Sequence, residues 1–140
     1  MMNYKGCIQK DGNRRMLNFS EDVERLMDAA MAQHQAGRLA EAEGLYRQAL
    51  ARNPKRGDAL HLLGVLAYQV KRYDIAAELI GRAIAIFPND PAYHSNYANV
   101  LKDSGRIEEA IASFQRAVAL RPEFAEVHSN LGNALREAGR

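Results

Sequence analysis

The chain has 140 residues, 47% of them hydrophobic and 26% charged, which points to one domain of ordinary folded composition and excludes global disorder. Its formal charge is +2, but residues 1–19 carry +3 and the remainder carries −1. A near-neutral body is a poor match for a nucleic-acid binder, whose affinity rests on basic groups that neutralise phosphates.

In chain order, the first stretch holds Lys5, Lys10, Arg14 and Arg15 against Asp11 alone. We read residues 1–19 as a flexible basic N-terminal segment. It has no apolar core of the kind a secretory signal needs. Cys7 is the single cysteine, so an internal disulfide and a cysteine metal cluster are both excluded. Met16 offers a second start. No apolar run approaches the ~20 residues of a membrane span, so membrane insertion is not expected and a cytoplasmic location is.

From residue 20 the pattern is helical. Ser20 suits an N-cap, followed by acidic Glu21, Asp22 and Glu24 at the positive end of a helix. Leading helices are expected at 21–36, 57–70, 91–104 and 124–138, and second helices at 39–52, 73–86 and 107–120. Asp90–Pro91 reads as an N-cap followed by the first helical residue. The chain stops at Gly139–Arg140, where a second helix would begin. This leaves either a polar terminal cap or a fragment of something longer, and the unbroken repeat signature favours the fragment.

A step of 34 residues organises everything after residue 22. Pro54, Pro88 and Pro122 share it, as do Ala42, Ala76 and Ala110, and Ala49, Ala83 and Ala117. Tyr46, Ile80 and Phe114 form a column of large apolar groups. Ala30, Gly64, Ala98 and Gly132 form a column of small ones. Small residues let two helices approach closely, and the large column fills the space between hairpins. Gly37, Gly105 and Gly139 end leading helices in the left-handed region that glycine enters freely. Lys71 interrupts that column, so strain or a different turn is expected there. The prolines stop the second helices.

These columns, with "GRLAEAEGLYRQALARNP", "KRYDIAAELIGRAIAIFP" and "GRIEEAIASFQRAVALRP" as second halves, resemble the tetratricopeptide repeat. The resemblance covers about residues 23–140. It implies an all-α fold, a right-handed α-solenoid of TPR helix–turn–helix hairpins. Repeats fall at 23–56, 57–90 and 91–124 with a partial one at 125–140, in a domain over 20–140. The family's frequent early tryptophan is absent, and Leu26, Leu60, His94 and His128 stand in its column.

The resemblance also implies that leading helices line a concave groove that holds protein segments. The register places Asp28, Met31 and His34 there in the first hairpin, and His61, Leu62, Val65 and Tyr68 in the second. Ser95, Asn96, Asn99 and Lys102 follow, then Ser129, Asn130, Asn133 and Arg136. Asn96 matches Asn130 and Asn99 matches Asn133. Asparagine is a poor helix-interior residue, and a carboxamide both donates and accepts, so it can hold a peptide backbone. The alternative is that Asn96 and Asn130 hydrogen-bond each other or neighbouring helix ends and are structural. "HSNYANVLKDSGR" and "HSNLGNALREAGR" are similar to the superhelix of O-GlcNAc transferases, where an asparagine ladder grips substrate. Leu62 and Asp28 break that ladder here.

A clamp for a partner's C-terminal carboxylate is not expected, because the column of Met27, His61 and Ser95 has no lysine. Histidines on neighbouring hairpins, such as His94 and His128, would stand about 8–10 Å apart. Zinc bonded at about 2.1 Å needs nearer ligands, so no metal or cofactor is expected. No phosphate loop, zinc-protease helix or nucleophile elbow occurs. The sequence therefore points to a protein-interaction scaffold rather than an enzyme. Its partner would be a protein or peptide segment, and the incomplete last repeat offers a route to self-association. The second reading is the substrate-recruiting arm of a larger glycosyltransferase.

Overall fold

The computed structural model describes residues 22–140. The basic head, Cys7, Met16 and the Ser20 cap lie outside the described residues. The chain divides into two compact units, up to Pro54 and from Lys55 onward.

In the first unit, helix α1 (22–35) and helix α2 (Leu39–Arg52) are joined at Gly37, whose φ is +79°. Val23, Met27 and Ala30 of α1 and Ala42, Tyr46 and Ala49 of α2 are buried. Their spacing of three, four and seven residues is the stripe an amphipathic helix hides. Asp22 and Arg52 pair at 3.2 Å between the outer ends of the two helices.

The second unit holds α3 (Gly57–Gln69), α4 (Tyr73–Ile86), α5 (Pro91–Asp103), α6 (Ile107–Leu120) and α7 (Ala125–Glu137). Each helix packs on the next in sequence, and α3 also reaches α5. That is the neighbour-only contact pattern of a helical-hairpin solenoid. Among the described residues there is no strand. The second helices begin and end where the periodicity places them, and the leading helices agree to within a residue.

Pairing within a hairpin depends on the small-residue column. At Gly64 a Cβ would meet Ile80 Cγ1 at 2.5 Å and the Ala76 carbonyl at 3.3 Å. The missing side chain is what lets α4 lie against α3. Ala98, Ala110 and Phe114 repeat the arrangement between α5 and α6, all fully buried. Burying a side chain such as Phe114 contributes about 1.5–3 kcal/mol. Val127 and Ala134 extend this core onto α7, with Leu131 and Leu135 partly buried against it.

The turns repeat as well. Gly105 N–H donates to Lys102 O at 3.0 Å and Arg106 N–H to Leu101 O at 2.8 Å. Lys71 and Arg72 make the same bonds to Tyr68 O and Ala67 O, at 2.9 and 2.8 Å. Lys71 thus adopts the glycine geometry, with φ +65°, at a cost of about 1 kcal/mol relative to glycine. Asp90 caps α5 by accepting from Ala92 N–H and Tyr93 N–H, with Pro91 at the first helical position. In the column where the family often has tryptophan, His94 Nε2 donates to Pro88 O at 2.7 Å and His128 Nε2 to Pro122 O at 2.6 Å. Each imidazole thereby fastens a leading helix to the loop before it.

The contrast between equivalent glycines gives a test. Gly132 has nothing within 4 Å of a built Cβ. Gly64→Ala should destabilise by about 1–3 kcal/mol through overpacking, whereas Gly132→Ala should stabilise by about 0.5–1 kcal/mol through helix propensity. Urea unfolding of the two variants checks the opposite signs.

Candidate functional site

Most of the groove residues expected from the register fall on α3, α5 and α7 of the second unit, and side-chain bonds tie these three helices together. Asn96 on α5 places Nδ2 2.8 Å from Nε2 of His61 on α3. The His61 ring stacks on Tyr93, with centroids 4.4 Å apart. Burial holds the His61 imidazole below its usual range, against the opposing pull of the Asp90 and Asp58 carboxylates. A neutral ring accepts at Nε2 from the amide. Burial, then Asp90 and Asp58, push the Tyr93 phenol up to about 12.

One helix further on, Asn130 on α7 donates from Nδ2 to Asn99 Oδ1 on α5, a long bond at 3.5 Å. Tyr68 on α3 donates its hydroxyl to the Asp103 carboxylate at the end of α5. Burial first, then this bond, hold the Tyr68 phenol above its ordinary range. Arg136 donates to Asn133 one turn before it on α7.

These positions differ in what they offer. His61 and Ser95 are buried, at 9% and 4% exposure, and present little surface. Val65, Tyr68, Asn96, Asn99, Lys102 and Asn130 are half-buried, and Ser129, Asn133 and Arg136 are exposed. Asn96 reaches back to His61 rather than forward to Asn130. The amides therefore do structural work with one N–H each. Asn96 Oδ1 and the second amide hydrogens of Asn96 and Asn130 have no bond to other described residues. In the first unit, His34 Nδ1 lies 3.0 Å from the Tyr46 hydroxyl, with the rings edge to face at 5.8 Å, so it serves the α1–α2 contact. Asp28 and Met31 are exposed.

Sequence reasoning missed Tyr93 and Asp103, which support His61 and Tyr68. Neither repeats in a column, so periodicity carried no signal for them. No group of three or more His, Cys, Asp or Glu side chains among the described residues could hold a metal ion, and no described helix is long and apolar enough to cross a membrane.

The lowered His61 basicity sets a pH dependence. Below the ordinary imidazole value the unfolded chain takes a proton that the folded ring resists. Stability therefore falls as pH drops from the unfolded value to the lowered folded one, and this loss levels off below it. His61→Gln keeps an acceptor for Asn96 but cannot titrate. Chemical denaturation between pH 7 and pH 5 should show a smaller loss in this variant than in the wild type.

The tetratricopeptide repeat model matches residues 25–100, and a second model described as a TPR repeat matches residues 98–139. A probable UDP-N-acetylglucosamine–peptide N-acetylglucosaminyltransferase of Arabidopsis thaliana is 37% identical over 60 residues, which are 43% of this chain and 6% of that protein. A solved mutant O-GlcNAc transferase of Thermobaculum terrenum is similar with a TM-score of 0.80 at 35% identity, over 84% of this chain and 22% of that one. The chain thus spans a small part of both transferases. The first TPR domain of Spaghetti, solved with an HSP90 peptide, shares the fold with a TM-score of 0.83 at 16% identity, over 86% of this chain and 96% of that one. With the repeat model covering more than half of its length, the chain belongs to the tetratricopeptide repeat family.

Proposed function

We propose that this chain is a protein-interaction scaffold that holds an extended segment of a partner across α3, α5 and α7. The fold supports a scaffold, and a solved TPR domain of the same fold carries a peptide. The observation that carries the reading is the set of half-buried and exposed carboxamides on α5 and α7. Asn96, Asn99, Asn130 and Asn133 lie at equivalent places, and Asn96 and Asn130 retain hydrogen-bonding capacity after their bonds to His61 and Asn99. Amides of this kind read a peptide backbone more than its side chains. Val65 and Tyr68 add apolar surface, and Lys102 and Arg136 add charge at the ends of their helices.

The transferase similarities favour a second reading, in which the same surface is the substrate-recruiting arm of a larger glycosyltransferase. Sequencing the reading frame past Arg140 separates the two: a nucleotide-sugar domain supports the arm, and a stop codon or further repeats alone removes it.

The groove reading is tested with peptides selected from a displayed library and measured by anisotropy. Asn96→Ala with Asn130→Ala should weaken binding by about tenfold or more, since each lost bond is worth about 0.5–1.5 kcal/mol. N-methylating the peptide backbone should weaken it comparably. Peptides bound equally well by the double variant, or untouched by N-methylation, would overturn the reading.

A further inference from the structure

A second surface lies away from these amides, at the turn between α3 and α4. There an open cleft of about 460 Å³ is lined by Lys71, Arg72, Tyr73, Asp74, Ile75 and Ser104. It lies within the second unit, between one hairpin turn and the next.

Three observations bear on what it holds. The first is charge. Neither Lys71 nor Arg72 has an acidic partner among the described residues, and both are exposed. The lining sets Lys71 and Arg72 against a single acid, Asp74, and so keeps an excess of positive charge. The amides of the first turn of α4 add to it, since Arg72 at the N-cap supplies no side-chain acceptor for them.

The second is strain. Lys71 has φ +65° where Gly37, Gly105 and Gly139 have +79°, +86° and +79°. A Cβ built at Gly105 meets nothing within 4 Å, so glycine serves the turn through its backbone alone. Lys71 bears the left-handed cost and is exposed, so packing does not repay it. What the lysine brings is a cation at the mouth of the cleft. Strain of this kind gathers where a side chain is needed for binding. The third is apolar surface: Ile75, which lines the cleft, is 37% exposed.

We propose that this cleft is a docking site for an acidic peptide segment, with a Glu or Asp carboxylate on Lys71 and Arg72 and a neighbouring apolar residue on Ile75. It is separate from the carboxamide surface and can hold a second stretch of the same partner or a different one. The carboxylate makes charge-assisted bonds that weaken as salt is raised.

The test uses a fluorescein-labelled peptide of glutamate and alanine around one leucine, and the matching glutamine peptide. The full chain should bind the first and not the second, with affinity falling as salt rises. Lys71→Gly should weaken binding about tenfold while raising Tm by about 3 °C, because it removes both the cation and the strain. Lys71→Asn, which tolerates the backbone conformation without the charge, and Arg72→Gln should weaken binding too. Arg82→Gln, a control cation on α4, should not. Equal binding of the two peptides, no binding by the wild type, or unchanged affinity in Lys71→Gly overturns the proposal. So does an Arg82→Gln effect as large as that of Arg72→Gln, which would mark general attraction to surface charge.

Discussion

The close approach of paired helices is the constraint from which the other features follow. At Gly64 the two backbones come so near that no side chain fits between them, and Ile80 occupies the space a Cβ would take. In the next hairpin Ala98 fills the equivalent place with a methyl group, in one core with Ala110 and Phe114. Because the contact is short, the large residue one turn away, Ile80 or Phe114, is driven fully into the interior. The hairpins then stack in a common register, and the leading helices come to lie side by side. The side-chain bonds from His61 to Asn96 and from Asn99 to Asn130 exist only because that register is kept.

Much of this was legible in the sequence because repetition converts single residues into columns. A lone alanine says little, but Ala42, Ala76 and Ala110 at one step fix a helix face and its partner. The glycine column located the turns, and the one exception, Lys71, is the described non-glycine residue with positive φ. The proline column marked the loops, and Asp90–Pro91 marked a cap that the structure contains. Features that do not repeat were hidden. Nothing in the sequence says that Asn96 would choose His61 over Asn130, because that depends on how far α5 sits from α3. Nor does it say that Ser95, one residue earlier, would be buried. A one-residue step along a helix turns a side chain by about 100°, which is enough to move it from surface to interior.

The amide-bearing surface joins support and recognition in the same side chains. Asn96 steadies a buried imidazole with one N–H and keeps its carbonyl oxygen for other use. A bond already made within the fold restricts the rotamer, so less freedom is lost when a second bond forms to a ligand. The Asn130–Asn99 contact, at 3.5 Å, is longer than the Asn96–His61 contact, at 2.8 Å. The two ends differ in composition, with an aromatic and imidazole stack at one and exposed Asn133 and Arg136 at the other.

Since each helix of the second unit meets chiefly its neighbours in sequence, the architecture is indifferent to how many hairpins it contains. Duplication of a whole 34-residue unit after Pro88 would give every helix a partner of the same kind, with the contacts that cross this point, such as Asn96 to His61, replaced by those of the new neighbours. Insertion of a single residue inside α5 would rotate Tyr97, Ala98 and Leu101 out of line with α6. Length is therefore free to change in evolution only in whole multiples, which makes such an array simple to extend and hard to edit.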